Sequence, residues 1–253
     1  MEANRVPVRM RGLSSARGHH EAINKGSKSG VMDFIFMLTR QDQTVSDCLT
    51  VMTEIAPLAL RHIGFKDVGA DLETLTALNR RIKESDATSY MEVVSTSPAA
   101  ALNSARMAVK IGVDRLLGGT QVKETLEILA GSGIAYYPFP GRPQGHPTKL
   151  GGTPAEIEAD SREFLHLGCA GVDLLAYRAT EADPIDLVKA ARRGLGQKGA
   201  LICAGAVDGA ARITALREAG CDAFTIGSAA FDGSFSPRKG SLRSQLEDIL
   251  ACA

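Results

Sequence analysis

From Asp33 onward the chain alternates between short apolar runs and longer segments whose apolar residues recur at three- and four-residue spacing. The short runs predict strands over 33–39, 61–67, 89–95, 113–118, 135–139, 171–177, 200–204 and 223–226. The patterns between them predict helices near 45–56, 72–84, 98–111, 121–131, 154–167, 184–195 and 209–219, with a last one near 242–250. Boundary chemistry agrees. Ser97-Pro98 and Thr153-Pro154 each set a capping hydroxyl before a proline at the first helical turn, and Gly112, Gly133, Gly168 and Gly220 each follow a helix. Eight alternating pairs in about 250 residues are the count of an α/β chain closed as a single-domain (β/α)8 TIM barrel, here over residues 32–253. An open doubly wound sheet shares the alternation. No Gly-x-Gly-x-x-Gly follows the first strand, however, which removes the dinucleotide-binding form of that alternative.

Side chains alternate along a strand, so parity separates inward residues from helix-facing ones. In 61–67 the large apolar Ile63 and Phe65 should meet the helices, which turns His62, Gly64 and Lys66 into the barrel. In 89–95 Met91 and Val93 face out and leave Tyr90, Glu92 and Val94 inside; in 171–177 Val172, Leu174 and Ala176 face out and leave Asp173, Leu175 and Tyr177 inside. Lys66, Glu92 and Asp173 thus converge from three strands as the candidate catalytic set. Buried charges are costly unless paired, so a structural ion pair accounts for Glu92 and Asp173 as well as catalysis does. Lys66 says more, because it lies near the C-terminal end of its strand, where barrel active sites are built. A lysine there can act as an acid–base group or as a Schiff-base nucleophile toward a carbonyl. Asp67 faces the helices and should hold the following loop or cap the helix near Asp71.

Candidate substrate contacts come from other strand ends: Thr39 and Arg40, Thr120, and Arg178, which could reach a phosphate or carboxylate at the rim. The longest stretch without periodicity is 138–152, which follows the fifth strand and opens on the catalytic face. Segments of this length in compact domains are usually functional. Its prolines stiffen it, and Arg142 and His146 supply donors, so it is expected to cover the substrate with both residues facing the mouth. A solvated connection is the plainer alternative.

Near the C-terminus, Gly199-Ala-Leu-Ile-Cys-Ala-Gly-Ala-Val-Asp208 leads through an amphipathic segment to Gly220 and then to Cys221-Asp-Ala-Phe-Thr-Ile-Gly-Ser-Ala-Ala230. Both strands end in small residues. Gly205 and Gly227 leave room for a ligand against the main chain, and the helices expected to follow offer N–H groups to an anion. Residues 199–232 resemble the last two βα units of the ribulose-phosphate-binding barrels, which include the histidine-biosynthesis isomerase and cyclase barrels, the N-acetylmannosamine-6-phosphate epimerases, and the ketose-phosphate decarboxylases and synthases. The resemblance implies a substrate phosphate held at Gly205, Ala206, Gly227 and Ser228. It carries no reaction across. Where the decarboxylases and synthases have the metal-binding Asp-x-Lys-x-x-Asp on strand three, this chain reads Tyr90-Met-Glu-Val-Val-Ser95. Where the histidine-pathway isomerases use an aspartate after strand one, it has Thr39. A strand lysine paired with a glutamate is similar to the epimerases, but their lysine lies on the strand that here reads Ile202-Cys-Ala-Gly205.

Composition narrows the partners. Lys plus Arg and Asp plus Glu both number 29, so no net field favours nucleic acid or an acidic membrane surface. Five cysteines lie singly, which argues against a zinc site or a disulfide framework and fits a reducing cytoplasm. The longest apolar stretches are of strand length, short of the about 20 residues of a membrane span. Neither a metal nor an organic cofactor is expected, and homo-oligomerisation is left open. Residues 1–31, rich in Arg and Ser, read as a disordered extension with Met32 as the functional start. A transit peptide is the alternative, opposed by Glu2 and Glu21, and His19-His20 could bind metal only weakly. The function expected is an enzyme on a phosphorylated sugar-like or keto-acid substrate, either an aldolase (lyase) or an isomerase/epimerase working through an enediol. A non-catalytic phosphate-ligand sensor would need the phosphate cup without the inward acid–base set, and a flavin-binding barrel would purify yellow.

Overall fold

Eight parallel strands form one sheet in the computed structural model, which describes residues 31–95 and 97–253. The transit-peptide and His19-His20 readings, and the extension but for its last residue, lie outside the described residues. The strands are β1 (Asp33–Met37), β2 (His62–Lys66), β3 (Thr88–Glu92), β4 (Arg115–Leu117), β5 (Ala135–Tyr137), β6 (Gly171–Leu174), β7 (Ala200–Cys203) and β8 (Ala223–Ile226). They pair in the order β6-β7-β8-β1-β2-β3-β4-β5. The ring closes between β5 and β6, where the Ala170 N–H donates to the Tyr136 carbonyl and the Asp173 N–H to the Pro138 carbonyl, both at 3.0 Å. The fold is therefore the expected (β/α)8 barrel.

Around it lie α1 (Cys48–Ile55), α2 (Leu72–Glu84), α3 (Pro98–Ile111), α4 (Val122–Leu129), α5 (Pro154–Leu167), α6 (Pro184–Leu195), α7 (Ala210–Glu218), the single turn α8 (Ser228–Phe231) and α9 (Leu242–Cys252). Thr153 and Glu156 form a capping box on α5, whereas Ser97 makes no side-chain cap on α3. Among the described residues no helix is long and apolar enough to cross a membrane.

Strand parity sorts the core into two layers. Phe34, Phe36, Ile63, Phe65, Met91, Val172 and Leu174 pack outward against the helices. Ile35, Met37, Tyr90, Leu117, Tyr137 and Ile202 fill the interior. Each such side chain removed from water contributes on the order of 1.5–3 kcal/mol. Low in the barrel the inward polar groups satisfy one another: the Tyr90 hydroxyl lies 3.0 Å from His62 Nδ1, and Arg115 lies over the Tyr90 ring at 5.3 Å.

Parity fails where a strand stops sooner than its apolar pattern suggests. β6 ends at Leu174, and Ala176–Arg178 form a 3-10 turn. Leu175 and Tyr177, expected inside, pack instead with the outer layer, where Arg212 stacks on the Tyr177 ring at 4.6 Å. The segment 138–152 is not irregular either. Arg142–Gln144 pairs antiparallel with Lys149–Gly151, with Leu150 buried beneath.

Candidate active site

A second small hairpin shapes the mouth. The first strand ends at Met37, and Thr39–Arg40 turns back on Gln43–Thr44 through Gln41 and Asp42, at φ 47° and 59°. Left-handed backbone costs a non-glycine residue roughly 1–2 kcal/mol, so the surroundings must hold this turn. They do so through β2. Thr44 Oγ1 accepts from the Lys66 N–H and donates to the Lys66 carbonyl, each at 2.8 Å, and the Thr44 N–H donates to the Val68 carbonyl at 2.9 Å. Gly69, at φ +96°, permits this approach, since a Cβ there would lie 2.6 Å from the Thr44 nitrogen.

The hairpin delivers the Asp42 carboxylate between two cations. Oδ1 accepts from Lys66 Nζ at 3.0 Å and from Arg178 Nη2 at 2.9 Å; Oδ2 accepts from Arg178 Nη1 at 3.0 Å. Lys66 Nζ also donates to Glu92 Oε1 at 2.8 Å, across strands whose register sets Lys66 beside Glu92. The side chains of Lys66 and Glu92 are each 7% exposed and that of Asp42 10%. Burial alone would favour the neutral amine. The carboxylates of Glu92 and Asp42 outweigh it and hold the Lys66 ammonium above the ordinary lysine range. Burial likewise works to raise Asp42, but the Arg178 hydrogen bonds and the charges of Lys66 and Arg178 keep its carboxyl well below the ordinary range.

Beside this network lies a cleft of about 280 Å³, lined among others by Thr39, Lys66, Glu92, Arg178, Gly205, Ala206, Gly227 and Ser228. It is slightly below the roughly 300–1,000 Å³ of typical small-molecule sites, so it suits a compact ligand. The two glycine turns are tightly built. A Cβ on Gly205, at φ +76°, would lie 2.7 Å from Arg178 Nε; one on Gly227 would collide with Thr39 Oγ1 and lie 2.9 Å from the Thr39 carbonyl. Ala206 is itself left-handed at φ 57°. A helix begins at Ser228 as expected, but it is a single turn, and the helix after β7 starts only at Ala210. The chain between Gly205 and that helix is a loop.

Other expected site residues lie elsewhere. Arg40 donates to the Phe231 carbonyl at 2.8 Å, pairs with Asp232 at 3.1 Å and stacks on Phe231. Thr120 is exposed and accepts from Gln121. Arg142 is not among the residues that line the cleft, and Glu156 on α5 and Glu181 both bind it. His146 is exposed in the hairpin turn. That segment meets the site through its backbone, where the Thr148 carbonyl accepts from Arg178 at 3.3 Å. Asp173 does point inward, yet it joins no ion pair. Both its oxygens are buried without a hydrogen-bond partner among the described residues. Burial, reinforced by the Glu92 charge, raises its carboxyl well above the ordinary range. Asp42 was not among the expected site residues, since nothing in Arg40-Gln-Asp42 announces a hairpin. Among the described residues that line the cleft there is no His or Cys, and the Asp42 and Glu92 carboxylates are engaged by Lys66 and Arg178.

The eight-stranded ring and its mouth invite comparison with solved structures. The chain is similar to a native KDPGal structure (TM-score 0.61, 12% identity, covering 87% of this chain and 92% of that one). It is similar to 3-hexulose-6-phosphate synthase (TM-score 0.60, 14% identity, 87% and 99%) and to orotidine 5'-phosphate decarboxylase from Pyrococcus horikoshii OT3 (TM-score 0.58, 12% identity, 87% and 98%). The fold these structures share with the chain is the (β/α)8 barrel. No protein-family model matches the chain, nor does any curated protein. At these identities the likeness speaks for the fold, and the reaction has to be argued from the cleft.

Proposed function

We propose that the cleft binds a compact phosphorylated carbonyl compound and that the protein is an aldolase or an isomerase/epimerase acting through an enediol or enolate. The observation that carries this reading is Lys66, a buried ammonium that opens on the cleft beside Glu92. The phosphate would rest against Gly205, Ala206, Gly227 and Ser228, with Thr39 and Arg178 as contacts for the remainder of the substrate. The names of two structural neighbours speak of hexulose 6-phosphate and orotidine 5'-phosphate, which supports a phosphorylated substrate. In the reaction, the ammonium donates to the carbonyl oxygen and stabilises the negative charge that develops there. Glu92 takes the proton from the neighbouring carbon in an isomerisation, or from the hydroxyl whose loss of a proton breaks the carbon–carbon bond in an aldol cleavage.

A Schiff base would need Lys66 to give up its proton, and two carboxylates within 3.0 Å oppose that. The electrostatic role is therefore favoured. A thermal-shift screen of sugar phosphates would supply a substrate, and borohydride added during turnover should leave no adduct on Lys66. Lys66→Met should lower kcat at least about 100-fold, the scale of a lost acid–base group. A folded Lys66→Met protein that turns over at the wild-type rate overturns the reading.

A further inference from the structure

Two cations, Lys66 and Arg178, line the cleft, two more pair with acids that line it, and among the described residues each of the four is already matched. Lys66 is shared by Asp42 and Glu92, Arg178 is held by Asp42, Arg40 pairs with Asp232, and Arg212 pairs with Asp208 at 2.9 Å. Lys66 and Glu92 alone would make a neutral pair and leave Arg178 as an unclaimed cation at the mouth. Arg178 would then be the natural anchor for a substrate carboxylate, since its planar fork suits two parallel hydrogen bonds. Asp42 takes that place: it receives both Arg178 nitrogens and Lys66 Nζ, all between 2.9 and 3.0 Å.

We propose that Asp42 is a built-in carboxylate that fills the carboxylate-binding position of the cleft, so that the site selects phosphorylated carbonyl compounds with an uncharged reacting end over phosphorylated keto acids. The proposal rests on the reading above and decides between two substrate classes that it leaves open. A substrate carboxylate would arrive beside Asp42 and Glu92 with no unmatched cation among the described residues that line the cleft, and an unpaired charge there is costly. An aldehyde or ketone carrying hydroxyls needs no such cation. The backbone points the same way. Both central residues of the turn that presents Asp42 are left-handed and neither is glycine, and the turn is fastened to β2 through Thr44 and the space at Gly69. Strain of this kind persists where the surroundings over-determine a conformation.

Calorimetry on the wild type, Asp42→Gly and Asp42→Asn tests the proposal with three probes: inorganic phosphate, dihydroxyacetone phosphate and 3-phosphoglycerate. Glycine takes the left-handed turn freely, and asparagine tolerates it while keeping the shape of the side chain. The wild type should bind dihydroxyacetone phosphate at least tenfold more tightly than 3-phosphoglycerate. Both variants should bind 3-phosphoglycerate at least tenfold more tightly than the wild type does, a gain that exceeds any gain for inorganic phosphate at least fivefold. A wild type that prefers 3-phosphoglycerate, or variants that gain nothing for it while phosphate still binds, overturns the role of Asp42 and leaves the phosphate cup standing. If no phosphorylated probe binds any of the three proteins, the phosphate reading falls, and acetate then decides the filled position by itself. Acetate should raise the Tm of Asp42→Gly and leave the wild type unchanged; equal responses overturn the proposal.

Discussion

Asp42 at the mouth and Asp173 in the interior are two aspartates of one barrel with opposite fates. Asp42 receives three hydrogen bonds from Lys66 and Arg178, and its carboxyl is held below the ordinary range. Asp173 is fully buried, receives none, and is pushed well above that range by burial and by the Glu92 charge. Both are removed from water. The difference lies in who stands within hydrogen-bond reach: Lys66 and Arg178 reach Asp42, whereas no donor among the described residues reaches Asp173. Burial alone does not set the direction in which a carboxyl shifts in this barrel; the partners within reach do.

The largest effect that would break this contrast is expected at Lys66, the cation shared by Asp42 and Glu92. Lys66→Met leaves Glu92 buried without its ion-pair partner and should cost about 3–5 kcal/mol in urea unfolding, the scale for breaking a buried pair. A cost near that of a surface pair would mean that the mouth opens to water when the lysine is lost.

The pH dependence sharpens the contrast at intermediate size. Unfolded, both aspartates titrate near about 3.9. Asp173 has a raised folded value, so the stability associated with it is fully present below pH 4 and is lost as pH rises toward that folded value. Asp42 has a depressed folded value, so its contribution is present above pH 4 and disappears as acid protonates it. Urea midpoints between pH 3 and 8 should therefore show Asp173→Asn gaining on the wild type as pH rises, and Asp42→Asn falling behind it over the same range. Parallel curves for the two variants would remove the distinction between mouth and interior.

The smallest effect separates backbone strain from charge. Ala206 is left-handed without being glycine, and Ala206→Gly should stabilise by up to about 1 kcal/mol, read as a rise in Tm. A loss would mean that the Ala206 methyl contributes packing that outweighs the strain.

Much of the barrel is legible from alternation, because a strand buried on both sides must place large apolar residues toward the helices. The same rule puts Lys66 and Glu92 on adjacent strands facing in, where the structure sets them 2.8 Å apart. What sequence pattern misses is local. Asp42 rides on a hairpin whose turn is Gln-Asp, without the Asn-Gly or Asp-Gly that marks such turns, and whose arms are two residues long. Arg142 and His146 sit in a Pro-rich stretch whose pairing has no alternating signature, and the acids that claim Arg142, Glu156 and Glu181, lie 14 and 39 positions away. Tyr177 was misplaced because its strand stops three residues earlier.

The hydrogen bonds between Arg178 and Asp42 join positions 136 residues apart, and the cleft draws on residues as late as Ser234. No contiguous half of the chain contains the site. A fragment ending before β6 would keep Asp42, Lys66 and Glu92 but lack Arg178 and both glycine turns, while the complementary fragment would keep those turns and lack the lysine. The ion network thus acts as a clasp that fastens only when the ring is shut, and the mouth becomes a report on whether the barrel has been completed.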